Sequence, residues 1–284
     1  MTKERPTTVL EVLQSAAVYF KNRKIDSPRL NAEHLMAHAL GRTRMELYLE
    51  FERTLAEGEL VPLRELVRRR GEGEPLQHLL GTVEFCGEVF LCDKRALVPR
   101  PETEQLTELL GSKIENPKSK IADVGTGSGV IALSLARKFP EAQIFAVDIS
   151  EDALSLAREN AERLGLNERV QFLKSDLLEV LNAKVDLIVA NLPYIAEEDR
   201  NTLAREVLHD PEVALFSTGG GDRLIRRLIE QTPQHLEPGG FLALEIGLGQ
   251  ADELVAFLGE KNFHDIESKK DYSGIVRFLF GRYG

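Results

Sequence analysis

Apolar residues near the start of the chain recur at the spacing of amphipathic helices. Thr8 and Glu11 have the spacing of a capping box, which begins a helix by bonding free backbone amides. The apolar residues that follow share one face of that helix: Val9, Leu13, Ala17 and Phe20. Thr43 and Glu46 repeat the capping-box spacing and predict a short helix further on. The pattern over residues 1–80 therefore predicts a small helical bundle.

Two more helices of this region are predicted from their ends. Ser27 is a good N-cap, Pro28 suits the first helical position, and Gly41 suits a left-handed stop. These three residues predict a helix between them. A fourth helix is predicted over about residues 61–70, where Pro62 is tolerated because it falls in the first turn.

Residues 81–101 differ from the helical region before them. Apolar residues on either side of Cys86 and Gly87 predict a β-hairpin. Pro99 and Pro101 then stiffen the chain, because each fixes its own φ and extends the residue before it. We therefore predict three parts: a helical domain at 1–80, a hairpin and proline-rich linker at 81–101, and a further domain at 102–284.

Strand and helix patterns alternate from about residue 102. Strands are predicted at 121–124, 143–147, 170–173, 185–190 and 241–246, and helices at 130–138 and 151–164. Such alternation predicts an α/β fold with a mostly parallel sheet and helices on both faces. The last two predicted strands, 263–267 and 275–280, are separated by so short a turn that they must be antiparallel neighbours.

Composition narrows the class of protein. The 284 residues are 43% hydrophobic and 29% charged, which is typical of globular domains and argues against disorder. The net charge is −10, and residues 81–284 carry it, with 23 Lys/Arg against 34 Asp/Glu. An acidic main body is a poor match for a long nucleic acid.

Cysteine content and the distribution of apolar residues also indicate where in the cell the protein is expected to act. Cys86 and Cys92 are too few for a disulfide framework, and no window is apolar enough for a membrane helix. Residues 1–6 show no apolar segment behind a basic start, so we expect no secretory signal. A cytoplasmic enzyme is the expectation.

A glycine loop follows the first strand of the α/β region. It reads Asp123, Val124, Gly125, Thr126, Gly127, Ser128 and Gly129, and a helix is predicted after it. Glycines allow a sharp turn and close approach of backbone to a ligand, and the helix start adds free amides. A dinucleotide fingerprint would need glycine at 130, where valine stands. The observed spacing resembles the S-adenosylmethionine loop of Rossmann-like methyltransferases, which implies that Asp123 and residues 125–129 bind this cofactor.

Two acids end the next two strands. Asp148 is placed to accept hydrogen bonds from both hydroxyls of a ribose. Asp176 is placed to accept from an adenine amine, with Leu177 packed on the ring. The alternative is that each aspartate only caps the helix after it. Because all three strand ends carry the expected residue, cofactor binding is favoured for the set.

The fourth strand ends in a turn that predicts the chemistry. Asn191, Leu192, Pro193 and Tyr194 form this turn, which should face the cofactor at the carboxyl edge of the sheet. A plain turn would explain Asn191 and Pro193 alone. The turn resembles the Asn-Pro-Pro-Tyr signature of methyltransferases that act on planar nitrogens. Such a nitrogen is activated when two acceptors hold its N–H bonds, and we assign these acceptors to the Asn191 side-chain oxygen and the Leu192 carbonyl.

The other two residues of the turn support those acceptors. Pro193 restricts Leu192 to extended geometry and so fixes the direction of its carbonyl. Tyr194 can pack over the substrate amide or face the sulfonium cation. Asn191 is expected to contact the cofactor as well as the substrate.

The whole chain resembles one family. Residues 96–104, with the Pro-Arg-Pro-Glu-Thr-Glu linker, are similar to the linker of the bacterial release factor glutamine methyltransferases, and residues 27–41 and 74–81 are similar to that family's N-terminal domain. Further matching stretches lie at 210–215, 244–250 and 271–277. This chain departs from the family at Leu192, where proline is usual, at Asp210, where glutamate is usual, and in a longer turn at 216–223 with Arg223 in place of glycine.

The resemblance implies a fold, a reaction and a partner. It implies a Rossmann-like class I methyltransferase sheet with a small helical-bundle domain before it. The reaction would transfer a methyl group from S-adenosyl-L-methionine, leaving S-adenosyl-L-homocysteine, to the N5 amide nitrogen of the glutamine in the Gly-Gly-Gln tip of class 1 peptide-chain release factors. The helical domain would dock the release factor, the protein would act as a monomer, and no stable nucleic-acid binding is expected.

Other readings of the same features remain open. An adenine-N6 methyltransferase acting on DNA or RNA would share the Asn191 turn. A catalytically inactive adaptor would bind a release factor without methylating it.

His34 and His38 stand one helical turn apart, but Leu35 lies where a zinc protease motif needs glutamate, so no metal site is predicted. Arginines at 64, 68, 69 and 70 are either a solvated face or a docking patch. Pro101, Glu102 and Thr103 are candidates for the methionine part of the cofactor.

Overall fold

The computed structural model describes residues 7–284, which divide into two compact units. The first runs to Thr82 and also includes Ala204–His209, and the second comprises Val83–Leu203 and Asp210–Gly284. The expectation about a secretory signal falls on residues 1–6, which lie outside the described residues. Among the helices of residues 7–284, none has both the length and the apolar character needed to cross a membrane.

Five helices build most of the first unit, and their bounds are α1 Val9–Asn22, α2 Pro28–Leu40, α3 Arg44–Leu49, α4 Glu57–Gly71 and α5 Leu76–Leu80. The capping boxes predicted at Thr8 and Thr43 are both present, with side-chain and backbone partners reciprocally bonded. Gly41 ends α2 in the left-handed conformation, at φ +59°, as predicted. Phe20, Leu35 and other apolar side chains of these helices form one buried cluster.

Two details of the predicted helix starts are wrong. Ser27 does hold the N-cap position of α2, but it is left-handed, and its side chain bonds no helix amide. Asn31 instead donates its side-chain amide to the carbonyls of Asp26 and Ser27. The helix α4 begins at Glu57, so Pro62 lies in the second turn and removes one helical hydrogen bond.

A buried arginine joins α4 to the late segment of the first unit. The Arg70 guanidinium donates to the Asn31 side-chain oxygen at 2.7 Å, to the Glu74 carbonyl at 2.9 Å and to Glu206 at 2.7 Å. Glu206 belongs to the segment 204–209. Because Arg70 is only 6% exposed, these partners replace the water that its charge would otherwise hold.

A hairpin and a helix open the second unit. The strands β1 (Thr82–Phe85) and β2 (Glu88–Leu91) form the predicted hairpin, with Cys86 and Gly87 at positive φ in its turn. The helix α6 (Pro101–Lys113) follows, with Pro101 in its first turn. The two prolines of the predicted linker thus lie just before and at the start of a helix.

Seven strands form the main sheet in the order β10-β11-β9-β6-β3-β4-β5. Their bounds are β3 Lys120–Val124, β4 Gln143–Asp148, β5 Val170–Lys174, β6 Val185–Asn191, β9 Leu236–Glu245, β10 Phe263–Lys270 and β11 Val276–Tyr283. The pairs from β9 across to β5 are parallel, and β11 is antiparallel to both β9 and β10. The predicted α/β class with a reversed C-terminal strand is confirmed.

Helices cover the sheet, and short elements connect its later strands. The remaining helices are α7 Val130–Lys138, α8 Glu151–Leu164, α9 Glu212–Leu215, α10 Arg223–His235 and α11 Ala251–Glu260. Two short strands, β7 Ile195–Ala196 and β8 Phe216–Ser217, pair with each other. Two 3₁₀ turns span Glu197–Thr202 and Val207–His209. The bounds of α7 and α8 agree with the prediction. Strand β3 pairs with β4 on one side and β6 on the other, so the connections reverse direction there, and a ligand is expected at its carboxyl end.

Candidate active site

A cavity of about 270 Å³ lies at the carboxyl ends of β3, β4 and β6. Ten of the predicted site residues line it: Gly125, Thr126, Gly127, Ser128, Asp148, Asp176, Leu177, Asn191, Leu192 and Pro193. Three predicted residues are absent from this lining among the described residues: Asp123, Gly129 and Tyr194. The cavity thus joins the glycine loop, two strand-end acids and the Asn191 turn in one space.

Asp148 ties the glycine loop to the second strand. Its carboxylate accepts the Gly127 amide and the Ser150 amide, each at 2.9 Å. Burial raises the pKa of Asp148, and these amide bonds oppose that rise. The cap of α8 is Ser150, whose hydroxyl accepts the Ala153 amide, so Asp148 is not the cap that the alternative reading proposed.

Glycine is required in this loop for two distinct reasons. Gly125 and Gly127 have φ values of +74° and +56°, a region in which side chains are strained. A Cβ on Gly125 would lie 2.8 Å from Leu192 Cδ2, so the loop and the turn are in close contact. A Cβ on Gly127 would have Ala96 Cβ, at 3.9 Å, as its nearest neighbour. The absence of a side chain here therefore leaves open space, a cradle for a ligand, at the wall of the cavity.

Asp123 lies beneath the loop and not in the cavity. Its Oδ2 accepts the Thr126 hydroxyl at 2.6 Å and the Ala132 amide at 3.0 Å, while Oδ1 has no hydrogen-bond partner among the described residues. Complete burial raises the pKa of Asp123 to about 7. The prediction of a direct cofactor contact is therefore corrected to an indirect one, because this carboxyl group braces the loop from below.

Asp176 has a partner that the sequence reasoning missed. Arg227, on α10, donates to Asp176 Oδ2 at 2.9 Å and itself lines the cavity. No helix begins after Asp176, where the chain forms turns, so the cap reading does not hold for this residue either. Leu177 is buried beside it with a φ of +53°. The amphipathic pattern of α10 carries no signal that singles out Arg227.

The Asn191 turn is held by a network of buried polar groups. Asn191 Nδ2 donates to Thr103 Oγ1 at 2.9 Å, and Thr103 Oγ1 donates to Glu245 Oε2 at 2.7 Å. Tyr194 donates its hydroxyl to Glu245 Oε1 at 3.4 Å. Thr103 is thus the one of three candidates at the start of α6 that lines the cavity. Tyr194 was predicted to face the substrate or cofactor, and its hydroxyl instead points to Glu245.

Burial shifts the ionisation of the acid in this network. Glu245 is 1% exposed, and desolvation raises its pKa to about 7. Burial, followed by the charge of Glu245, raises the pKa of Tyr194. The sequence did not predict this contact, because Tyr194 and Glu245 lie 51 positions apart and the turn after β6 meets β9 only in the folded chain.

The linker before α6 forms another wall of the cavity. Ala96, Leu97 and Pro99 line it, and sequence reasoning did not place them there. Asp210 holds this wall, since its two oxygens accept the Val98 amide at 3.2 Å and Arg100 at 2.6 Å. The aspartate that departs from the family's usual glutamate therefore has a defined structural role.

The arginines of α4 are paired with acids of their own unit. Arg64 bonds Glu57, Arg69 bonds Glu74, and Arg68 bonds both Glu65 and Glu72. Surface pairs of this kind contribute little to stability, but they neutralise the positive charge of the helix face. Within residues 7–284, no cluster of three or more His, Cys, Asp or Glu side chains could hold a metal ion.

The fold and cavity define a Rossmann-like class I methyltransferase. A solved ribosomal protein L11 methylase from Lactobacillus delbrueckii subsp. bulgaricus superposes with a TM-score of 0.52 at 25% identity, over 68% of this chain and 84% of that one. A Thermus thermophilus 16S rRNA N2 G1207 methyltransferase, solved in complex with AdoMet and guanosine, shares the fold with a TM-score of 0.51 at 21% identity, over 72% of this chain and 50% of that one.

Sequence comparison narrows the class to one family. Residues 11–81 match the family described as the PrmC N-terminal domain, and residues 93–221 match the methyltransferase small domain. Release factor glutamine methyltransferases from Chlorobaculum tepidum and Escherichia coli are 38% and 37% identical, over 98% and 91% of this chain and 98% and 93% of their own length. The chain belongs to the release factor glutamine methyltransferase family.

Proposed function

We propose that this protein transfers a methyl group from S-adenosylmethionine to the N5 amide nitrogen of the glutamine in the Gly-Gly-Gln tip of class 1 release factors. The observation that carries the proposal is the position of Asn191, which lines the same cavity as the glycine loop and Asp148. Family membership supplies the substrate class, because the relatives are named for it. We place the reaction in the cytoplasm, where release factors work.

The residues of the cavity fit the cofactor. The cradle at Gly127 and the apolar walls near Ile149 and Leu177 suit a nucleoside, and Asp148 suits its ribose hydroxyls. Asp176 retains a second oxygen for the adenine amine beside its bond to Arg227. When bound there, S-adenosylmethionine supplies an electrophilic methyl group on its sulfonium. Asp123 contributes by holding the loop in place through Thr126 and Ala132.

The turn activates the substrate amide by orientation. The Asn191 side-chain oxygen and the Leu192 carbonyl accept the two N–H bonds of the glutamine amide and hold them out of conjugation. Pro193 fixes the direction of the Leu192 carbonyl. The nitrogen lone pair then forms the new N–C bond as the sulfonium C–S bond breaks, and the methylated amide loses one proton to solvent. Positioning is the main source of rate in such a displacement, and no strong base is required.

The two domains divide the work in this proposal. Residues 1–80 dock the release factor, residues 81–101 form the hairpin and linker, and residues 102–284 carry the methyltransferase site. The enzyme acts as a monomer and binds no nucleic acid stably. The net acidity of residues 81–284 supports the last point.

A methyl-transfer assay tests the proposal. The protein is incubated with labelled S-adenosylmethionine and a class 1 release factor, and the label is located by peptide mass spectrometry. We expect one methyl group on the tip glutamine and none on a release factor with that glutamine replaced by alanine. Label on added DNA or RNA, with none on the release factor, would contradict the proposal and favour an adenine methyltransferase.

A further inference from the structure

Glu245 and Asn191 are direct neighbours in the sheet. They are paired residues on the parallel strands β9 and β6, each at the carboxyl end of its strand. Thr103 reaches between them from α6, with its hydroxyl oxygen 2.7 Å from Glu245 and 2.9 Å from Asn191. Thr103 and Glu245 are 4% and 1% exposed, so both are largely shielded from bulk solvent and their bond to each other is a buried one.

The ionisation of Glu245 determines which atom donates and which accepts in each hydrogen bond from Glu245 through Thr103 to Asn191. An ionised Glu245 only accepts hydrogen bonds, so the single proton of the Thr103 hydroxyl must point to it. The Thr103 oxygen can then only accept, and of the two ends of the Asn191 amide only the NH₂ end can donate to it. The Asn191 oxygen is left facing the other way, as an acceptor for a substrate N–H.

We propose that Glu245, acting through Thr103, is the positioning residue that orients the Asn191 amide for the reaction. This inference rests on the proposed function, since it assigns the orientation of the acceptor that the glutamine amide requires. With Glu245 protonated, its own proton can be donated to Thr103, and the Thr103 proton is freed to bond the Asn191 oxygen. The reversed amide would present NH₂ to the substrate N–H, which cannot bond it.

Several charged groups set the ionisation of Glu245. The Thr103 hydrogen bond favours its charged form, Glu102 opposes it, and Arg277 and the long Tyr194 hydrogen bond favour it. Desolvation outweighs all of these and raises the pKa of Glu245 to about 7. The orientation of Asn191 should therefore be lost as the pH falls below about 7.

The test measures kcat against pH for the wild type and two variants, with both substrates saturating. For the wild type we expect kcat to fall on the acid side with a midpoint near 7. In Glu245→Gln the amide oxygen can still accept from Thr103 while its NH₂ donates to Tyr194, so the acid limb should disappear. In Thr103→Val the link is cut, and kcat should fall about tenfold to a hundredfold at every pH. Thr103→Ser keeps the hydroxyl and should recover most of the rate.

Binding and folding controls separate positioning from general damage. The Kd of S-adenosylmethionine and of the release factor, measured by calorimetry, should stay within about threefold in each variant, because the loss acts on kcat. Thr232→Val is a matched control, since Thr232 is also a buried helical threonine, but its hydroxyl donates to a carbonyl of its own helix and not to a residue of the site. Its kcat profile should follow the wild type.

The outcomes decide the matter in both directions. An acid limb that persists unchanged in Glu245→Gln, or a Thr103→Val enzyme with the wild-type kcat, would overturn the assignment while leaving the proposed function intact. A wild type that methylates no release factor would instead overturn the proposed function, and this assignment with it. Loss of the limb in Glu245→Gln supports the assignment even if Thr103→Val does not fold.

Discussion

The acid beneath the glycine loop makes the stability of the protein depend on pH. Asp123 is fully buried, and its Oδ1 bonds none of the described residues. We expect Asp123→Asn to remove this dependence, because an asparagine oxygen can still accept from Thr126 and Ala132 without a charge to bury. The substitution keeps the size and shape of the side chain.

The magnitude follows from the pKa of Asp123. Burial raises it from 3.8 to about 7, a difference of roughly 3 units or about 4 kcal/mol. Since the folded pKa is the higher one, the folded state keeps a proton between these pH values that the unfolded state has released. The stabilisation that the bound proton gives to the folded state is therefore complete below about pH 4. It is lost progressively as the pH rises towards the folded pKa and is gone above about 7. The asparagine variant has no such loss.

Urea unfolding at 25 °C over pH 4 to 8 tests this reasoning. The free energy of unfolding of Asp123→Asn minus that of the wild type should rise by about 4 kcal/mol across this range, with equal m-values in the two proteins. A difference that stays constant with pH would refute the reasoning. Because Asp123 acts from below the loop, the Kd of S-adenosylmethionine should change by less than about threefold, and a much larger loss would point to direct contact.

Three further substitutions test the cavity. Asp148→Ala should weaken S-adenosylmethionine binding by about 1.5–3 kcal/mol, because bonds to a charged acceptor are lost, and an unchanged Kd in calorimetry would exclude Asp148 from the site. Asn191→Ala should abolish detectable turnover in the methyl-transfer assay while the cofactor Kd changes only modestly; near-full turnover would make the orientation mechanism wrong. Gly125→Ala should lower cofactor affinity at least about tenfold, because its Cβ meets Leu192 and its φ is +74°. Leu192→Ala in the same chain should restore part of that affinity, and no recovery would mean that backbone strain alone is responsible.

Local signals in the sequence predict much of the fold. The capping boxes at Thr8 and Thr43 and the stop at Gly41 depend on residues a few positions apart, and all three are confirmed. The start of α4 was predicted four residues too late because Pro62 was taken as a marker of the first turn. Glu57 and Glu59 favour a helix start there, and Leu60 and Leu63 are buried in the core of the first unit, so packing holds the helix together despite the missing amide of the proline.

Long-range contacts account for what the sequence did not predict in the site. Spacing alone could not choose among the first residues of α6, since the choice depends on Glu245, which lies 142 positions from Thr103. The same holds for Arg227, which reaches Asp176 across 51 positions. Asp123 carries the expected residue type, but its depth below the loop becomes visible only in the folded sheet.

During protein synthesis, the buried Arg70 of the first unit is translated well before its ion-pair partner Glu206. Glu206 follows Arg70 by 136 residues, so at about 5–20 residues per second it leaves the ribosome roughly 7 to 27 seconds later. During this interval the chain supplies only Asn31 and the Glu74 carbonyl of the three partners, so water takes the place of Glu206 at the guanidinium. The helical unit therefore reaches its final set of contacts only after most of the methyltransferase sheet has been translated.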